Sequence, residues 1–179
     1  MKTSFTKIIA LMAILAITTS CSKDDDIGKD VQIDDKNLTN CPENSSCQYL
    51  FFENSDLNTE PTTVKSGQFR LFLSKIHTSM DERMLYIKAP IEGDSFSLDK
   101  KDILAGKAVY TFICPACDFV GMKPVDGFAK GLKIAPTGVN TESKWLLEYN
   151  IILQAASNAA YRDTIYVKQY FEAGITIGY

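Results

Sequence analysis

Histidine is almost missing: a chain of 179 residues holds one, His77. Any catalytic dyad or triad that uses imidazole as its base must use that residue. Ser74 stands three positions earlier in a stretch that reads as a strand, where an odd separation places side chains on opposite faces, so local geometry does not bring the two together. Carboxylates are plentiful, among them Asp81, Glu82, Glu92, Asp94 and Glu148. No spacing among them sets two at the separation that glycoside hydrolysis needs, and they read as solvated surface. Clusters of Lys and Arg are also missing and the formal charge is −3, which disfavours binding to a nucleic-acid backbone. No glycine-rich phosphate loop occurs. Gly121, Gly127 and Gly131 fall among strand and turn signals, where bulges or tight turns account for them. Internal repeats, low-complexity tracts and the strand-helix alternation of βαβ folds are absent as well. The expectation is a chain that is not an enzyme and uses no cofactor and no metal.

What is present begins with a targeting segment. Lys2 and Lys7 give a short basic start, and residues 8–17 (IIALMAILAI) form an apolar core. That run is too short for a bilayer-spanning helix, which needs roughly 20 residues, and has the length of a signal-peptide core. Thr18, Thr19 and Ser20 then lead into Cys21. This arrangement resembles a bacterial lipobox, with Thr18 standing where Leu is usual, and the resemblance implies cleavage before Cys21 and lipidation of its thiol. The run Ser22-Lys23-Asp24-Asp25-Asp26 is similar to the export signal of Bacteroidota-type surface-exposed lipoproteins. It implies an outer-membrane, lipid-anchored protein displayed at the cell surface. Removing residues 1–20 takes away two lysines and leaves a formal charge of −5.

Residues 21–40 follow as a lipidated cysteine and an Asp-rich stretch without aromatics, too poor in apolar surface to offset the entropy of ordering. The expectation is a disordered tether reaching roughly 20–25 Å from the membrane. Residues 41–179 are one domain's worth of chain, long enough to bury a core.

That domain reads as all-β. Residues 68–76 (QFRLFLSKI) alternate Phe69, Leu71 and Leu73 with Gln68, Arg70 and Ser74, with Phe72 interrupting the polar side. Residues 144–155 (KWLLEYNIILQA) place Trp145, Leu147, Tyr149, Ile151 and Leu153 on one side and Glu148, Asn150 and Gln154 on the other. Both have the period of two of a strand with one buried face. Residues 83–89, 107–114, 128–135 and 163–171 are further strands, rich in aromatic and β-branched residues and bounded by turn formers. One short helix is expected near residues 99–105, with Gly106 in the C-terminal cap position. Strands with short turn-bearing gaps point to an antiparallel β-sandwich, immunoglobulin-like in a loose sense.

Four cysteines remain beside Cys21: Cys41, Cys47, Cys114 and Cys117. In an exported protein an even number reads as disulfides, and four allow three connectivities. Local pairing, Cys41 with Cys47 and Cys114 with Cys117, needs no assumption about the fold. Two other chemistries fit the residue types. Cys114-Pro115-Ala116-Cys117 has the Cys-X-X-Cys form of a redox centre, which needs a helix N-terminus to lower a thiol pKa, whereas Gly121 and Pro124 follow where that helix would run. Four thiolates could also hold zinc or iron, although five residues between Cys41 and Cys47 is a wide spacing for such a pair. Haem attachment is excluded by Asp118 in the position of the required His.

Tyr149, Tyr161, Tyr166, Tyr170, Phe171 and Tyr179 make the C-terminal part rich in aromatics. They could form a stacking platform for a glycan or a patch for a protein partner at the cell surface, but strand aromatics are mostly core residues and cross-strand pairs. The expected function is a non-catalytic binding or accessory β domain on a lipid anchor. The alternative is a thiol-active or metal-binding envelope protein using Cys114 and Cys117. Cys21→Ala should leave the protein without lipid and shift it from the membrane to the soluble fraction. Carbonate extraction and blotting check this, and a variant still embedded in membrane would refute the assignment of Cys21.

Overall fold

The computed structural model describes residues 31–59, 62–117, 121–136 and 143–175. Within them the chain forms β1 (Ser46–Thr59), β2 (Thr62–Ser66), β3 (Phe69–His77), β4 (Glu82–Pro90), β5 (Ser95–Leu98), a single helical turn α1 (Lys100–Asp102) running into a π-turn at Ile103–Lys107, then β6 (Ala108–Ile113), β7 (Met122–Ile134), β8 (Lys144–Ala155) and β9 (Arg162–Ala173). The strands hydrogen-bond in the order β5-β7-β8-β9-β1-β3-β4-β6, with β2 on the side of β1.

The all-β class is as the alternation predicts, and β8 has the expected bounds. The pairing differs from two separate antiparallel sheets. One continuous sheet forms, and its middle link, β1 to β9, is parallel and only two residue pairs long, Leu50 with Glu172 and Phe51 with Ala173. Parallel neighbours need a long connection. Here nearly the whole domain supplies it, since β1 and β9 are the first and last strands.

Two strands escape a simple periodicity reading because bulges interrupt them. In β1 the register against β3 slips between Phe52 and Ser55, with Asn54 in the left-handed region at φ 51°. The polar run Glu53-Asn54 therefore sits inside a strand. In β7 the register slips between Pro124 and Asp126. Gly127 follows at φ 124°, where a Cβ would come within 2.0 Å of the Asn150 carbonyl oxygen. No other residue fits that approach.

The two ends of the sheet fold over one another around Phe72. Its ring stacks on Phe96 at 5.3 Å and meets Trp145 and Phe171 edge-on at 5.5 and 5.7 Å. Phe72 is fully buried in a cluster drawn from β1, β3, β4, β5, β6, β7, β8 and β9. It is thus the centre of the core and not an exception on a polar face. Leu71 and Leu73, the expected core residues of β3, lie on the opposite face in a smaller cluster with Phe52, Leu57, Met84 and Tyr86. The β1–β2 hairpin contributes Leu57 and, across from it, Val64. Periodicity reads one buried face per strand, whereas β3 has two because the hairpin supplies a second cover.

Arg70 is also inside, 6% exposed on the Phe72 side of β3. Its guanidinium carbon lies 4.2 Å from the centre of the Trp145 ring. Nε donates to Glu53 Oε1 at 2.7 Å, Nη2 to the Ile91 carbonyl at 2.7 Å, and Nη1 to those of Gly93 and Pro90 at 3.3 and 3.4 Å. A charge this buried is tolerated only when paired and hydrogen-bonded. Asp99 caps the helical turn by accepting from the backbone N–H groups of Lys101 and Asp102, and Asp102 returns a bond to Asp99 N–H.

Composition predicts a free lead as far as residue 40, yet its last part is held. Thr39 N–H donates to the Lys168 carbonyl at 2.8 Å, Lys168 N–H donates to Thr39 Oγ1 at 2.8 Å, and Lys168 Nζ reaches Asp34 at 2.7 Å. Thr39 supplies what β1 does not, because β1 pairs with β9 only at its far end. Counting apolar burial alone overlooks a segment that binds through the hydrogen-bond demand of a strand edge.

Arg70→Ala removes the stack and leaves three turn carbonyls and Glu53 without their donor. It should lower the free energy of unfolding by about 3–5 kcal/mol. Urea denaturation measures this, and a loss under about 1 kcal/mol would mean that solvent replaces the guanidinium at little cost.

Candidate functional site

Cys21, the run 22–26, Asp118 and Tyr179 lie outside the described residues. The other cysteines close locally, Cys41 with Cys47 at a Cα separation of 5.8 Å and Cys114 with Cys117 at 5.4 Å. A single four-thiolate site is incompatible with this pairing, and among the described residues no group of three or more His, Cys, Asp or Glu stands ready for a metal. Cys114 directly follows β6 and Met122 opens β7, so the Cys-X-X-Cys motif lies in a connection between strands. Among the described residues no helix starts at it whose dipole would lower a thiol pKa.

His77 is exposed, with Nδ1 3.6 Å from Glu82 Oε2, and the same carboxylate holds Lys75 at 2.6 Å. Ser74 points the other way, into the core, where its hydroxyl bonds that of Tyr149. Burial pushes the Tyr149 phenol well above its usual range, so it stays protonated. The carboxylates are dispersed and individually engaged: Asp81 with Arg83, Asp94 with Lys133, Glu148 with the Tyr166 hydroxyl. The C-terminal aromatics separate as well. Tyr149 and Phe171 are core, Tyr166 and Tyr170 sit toward Glu148 and Asp35, and Tyr161 stands in a groove.

That groove, about 540 Å³, opens between the layers at one end of the fold. Arg83 at the start of β4 and Tyr110 and Phe112 of β6 line one side, and Asn158 and Tyr161 of the β8–β9 turn with Asp163 of β9 line the other, together with Met122 and Cys117. A second compartment of about 270 Å³ shares Arg83, Tyr110 and Asp163 and runs inward to Ser74, Leu85 and Ile165 beneath Thr39, Asn40 and Pro42. Local sequence explains the opening. Burial falls along β6 from Ala108 to Ile113, and along β9 from Phe171 back to Arg162, so the layers part where the apolar alternation runs out.

Arg83 Nη2 lies 2.9 Å from Asp81 Oδ2, and that hydrogen bond raises the guanidinium pKa still further. Its cationic carbon stands 5.9 Å from the Phe112 ring centre. Asp163 Oδ1 accepts from Thr164 N–H at 2.7 Å. Burial raises the Tyr110 phenol pKa, which keeps it a hydroxyl donor at neutral pH. The groove thus offers aromatic walls, one neutralised cation, one carboxylate and several hydroxyl and amide groups. Arg83, Tyr110, Phe112 and Asp163 are legible in the sequence only as members of strands, because their convergence depends on which strand ends adjoin in space.

Replacing Cys114 and Cys117 together by Ser opens a four-residue loop, for which chain entropy contributes only about 2 kcal/mol. A modest fall in melting temperature is expected, with the β-rich circular dichroism unchanged. Alkylation of the reduced protein should titrate Cys114 near the ordinary thiol value of about 8.5. A value well below about 7 would reveal a thiolate-stabilising site.

No protein-family model matches the chain, and neither a curated protein nor a solved structure does.

Proposed function

We propose that this protein is a lipid-anchored outer-membrane protein, displayed at the cell surface, whose β domain is a non-catalytic binding module that holds a glycan or protein ligand in the groove between β6 and the β8–β9 turn. The observation that carries the binding reading is the composition of that groove. It is a concave site of about 540 Å³ with aromatic residues and a few converging polar groups, the make-up of a recognition site. The anchoring reading rests on the signal-like residues 1–20, on Cys21 and on the Ser22–Asp26 run.

The acidic charge balance fits a partner other than nucleic acid. One observation favours the thiol-active alternative: Cys117 lines the same groove, where a substrate dithiol could attack the Cys114–Cys117 bond, leaving as a disulfide with the two cysteines reduced. The thiol titration described above separates the two, since a binding module needs no reactive thiolate.

Replacing Lys23, Asp24, Asp25 and Asp26 with alanine should keep the lipid and the membrane fraction but remove surface exposure. Protease shaving of intact cells checks this. Unchanged shaving of the variant would reduce the run to a spacer, and resistance of the unaltered protein would refute display.

A further inference from the structure

The groove's chemistry narrows the ligand. Resting on the reading of this site as a recognition groove, we propose that it takes a neutral saccharide, stacked on its aromatic residues and hydrogen-bonded at the Asp163 side. Three features carry this.

The first is the wall. Tyr110 and Phe112 from β6 and Tyr161 from the β8–β9 turn line one cleft from opposite sides. Tyr161 is 59% exposed although it is a large aromatic on a short turn. Its place is fixed by backbone bonds and not by burial: Tyr161 N–H donates to the Asn158 carbonyl at 3.0 Å, and the Tyr161 carbonyl accepts from Ala155 N–H at 3.0 Å. An aromatic side chain held at a groove mouth offers a flat apolar face at low entropic cost.

The second is charge. Arg83 and Asp163 are the charged groups among the described lining residues of this compartment. Arg83 is met by Asp81 and lies near enough to Asp163 for that carboxylate also to raise its pKa, so two carboxylates share one guanidinium, and one Asp163 oxygen accepts from the Thr164 N–H. The local balance is therefore negative, and an anionic ligand meets repulsion. Phosphorylated, sulfated or uronic-acid ligands are disfavoured on this ground.

The third is hydrogen-bonding capacity. Asn158 accepts from Ala160 N–H at 3.0 Å through its side-chain oxygen, which leaves its amide NH₂ as a donor, and Asp163 lines the same groove with a carboxylate as acceptor. A wholly apolar ligand would strip these groups of water and return no bond. A pyranose satisfies both demands, with a C–H face for the rings and hydroxyl edges for donor and acceptor.

The test is isothermal titration of the detergent-solubilised full-length protein with neutral di- and trisaccharides of glucose, galactose, mannose and N-acetylglucosamine. A sialylated trisaccharide and a galacturonate trimer serve as anionic counterparts. At least one neutral member should bind with Kd below about 1 mM, a weak-ligand affinity. Tyr161→Ala and Asp163→Asn should each weaken it roughly ten-fold, while Tyr161→Phe, which keeps the ring, should stay within about three-fold. Both positions are exposed, and circular dichroism of each variant confirms that the fold is kept. Absence of any neutral binder, preference for the anionic members, or binding indifferent to both substitutions overturns the proposal. Failure here with positive surface shaving removes the saccharide and leaves the displayed module, and saccharide binding without shaving removes display and leaves the ligand.

Discussion

The buried guanidinium of Arg70 is the constraint on which the rest of the fold depends. It lies against the Trp145 ring, takes Glu53 from the β1 bulge and binds three carbonyls of the turn between β4 and β5. Among the described residues, the strand-to-strand backbone bonds between the two halves of the sheet are the short parallel contact of β1 with β9, extended by Gly174 N–H to the Phe51 carbonyl. So few bonds do not fix the angle between layers. Arg70 on Trp145 and Phe72 among Phe96, Trp145 and Phe171 do so, and all of them lie toward the same end of the molecule.

The groove is the consequence at the other end. β3 and β4 run antiparallel, so the strand ends that carry Arg70 and Pro90 are opposite those that carry His77 and Arg83. With one end clamped and apolar alternation fading along β6 and β9, the layers separate around Tyr110, Asp163 and Ile165. The segment from Asp34 to Thr39 partly closes this end by bonding to Lys168 and leading into the Cys41–Cys47 loop. Lys168 in turn holds the Asp34 carboxyl below its usual range through their hydrogen bond.

Particular residues show where sequence reasoning was sufficient and where it failed. Trp145, Leu147, Tyr149, Ile151 and Leu153 are on one face of β8 and in the core, as their spacing requires. Phe72 stands on the side where alternation places it, with Arg70 and Ser74, but that side is the main core and not a solvated face; alternation assumes one cover per strand, and the β1–β2 hairpin provides a second over Leu71 and Leu73. Gly127 lies at a bulge, one of the two readings its place among strand and turn signals allows, while Pro124 and the start of β7 precede the strand that composition marks from residue 128. Arg70 reads in the alternation as solvent-facing polar, and no local pattern reveals that Trp145, far along the chain, lies over it.

The sequence by itself determined the all-β class, most of the strands and the local cysteine pairing as the simplest choice, because these depend on side-chain alternation and on short separations along the chain. It also carries the whole case for the lipid anchor, which lies in residues 1–26. Tertiary structure alone decided the strand order, the parallel β1–β9 link, the docking of residues 34–39 and the groove. Each of these joins segments distant in sequence, and their contact is set by how two layers pack around Phe72 and Arg70, a property of the whole chain that no window of neighbouring residues contains.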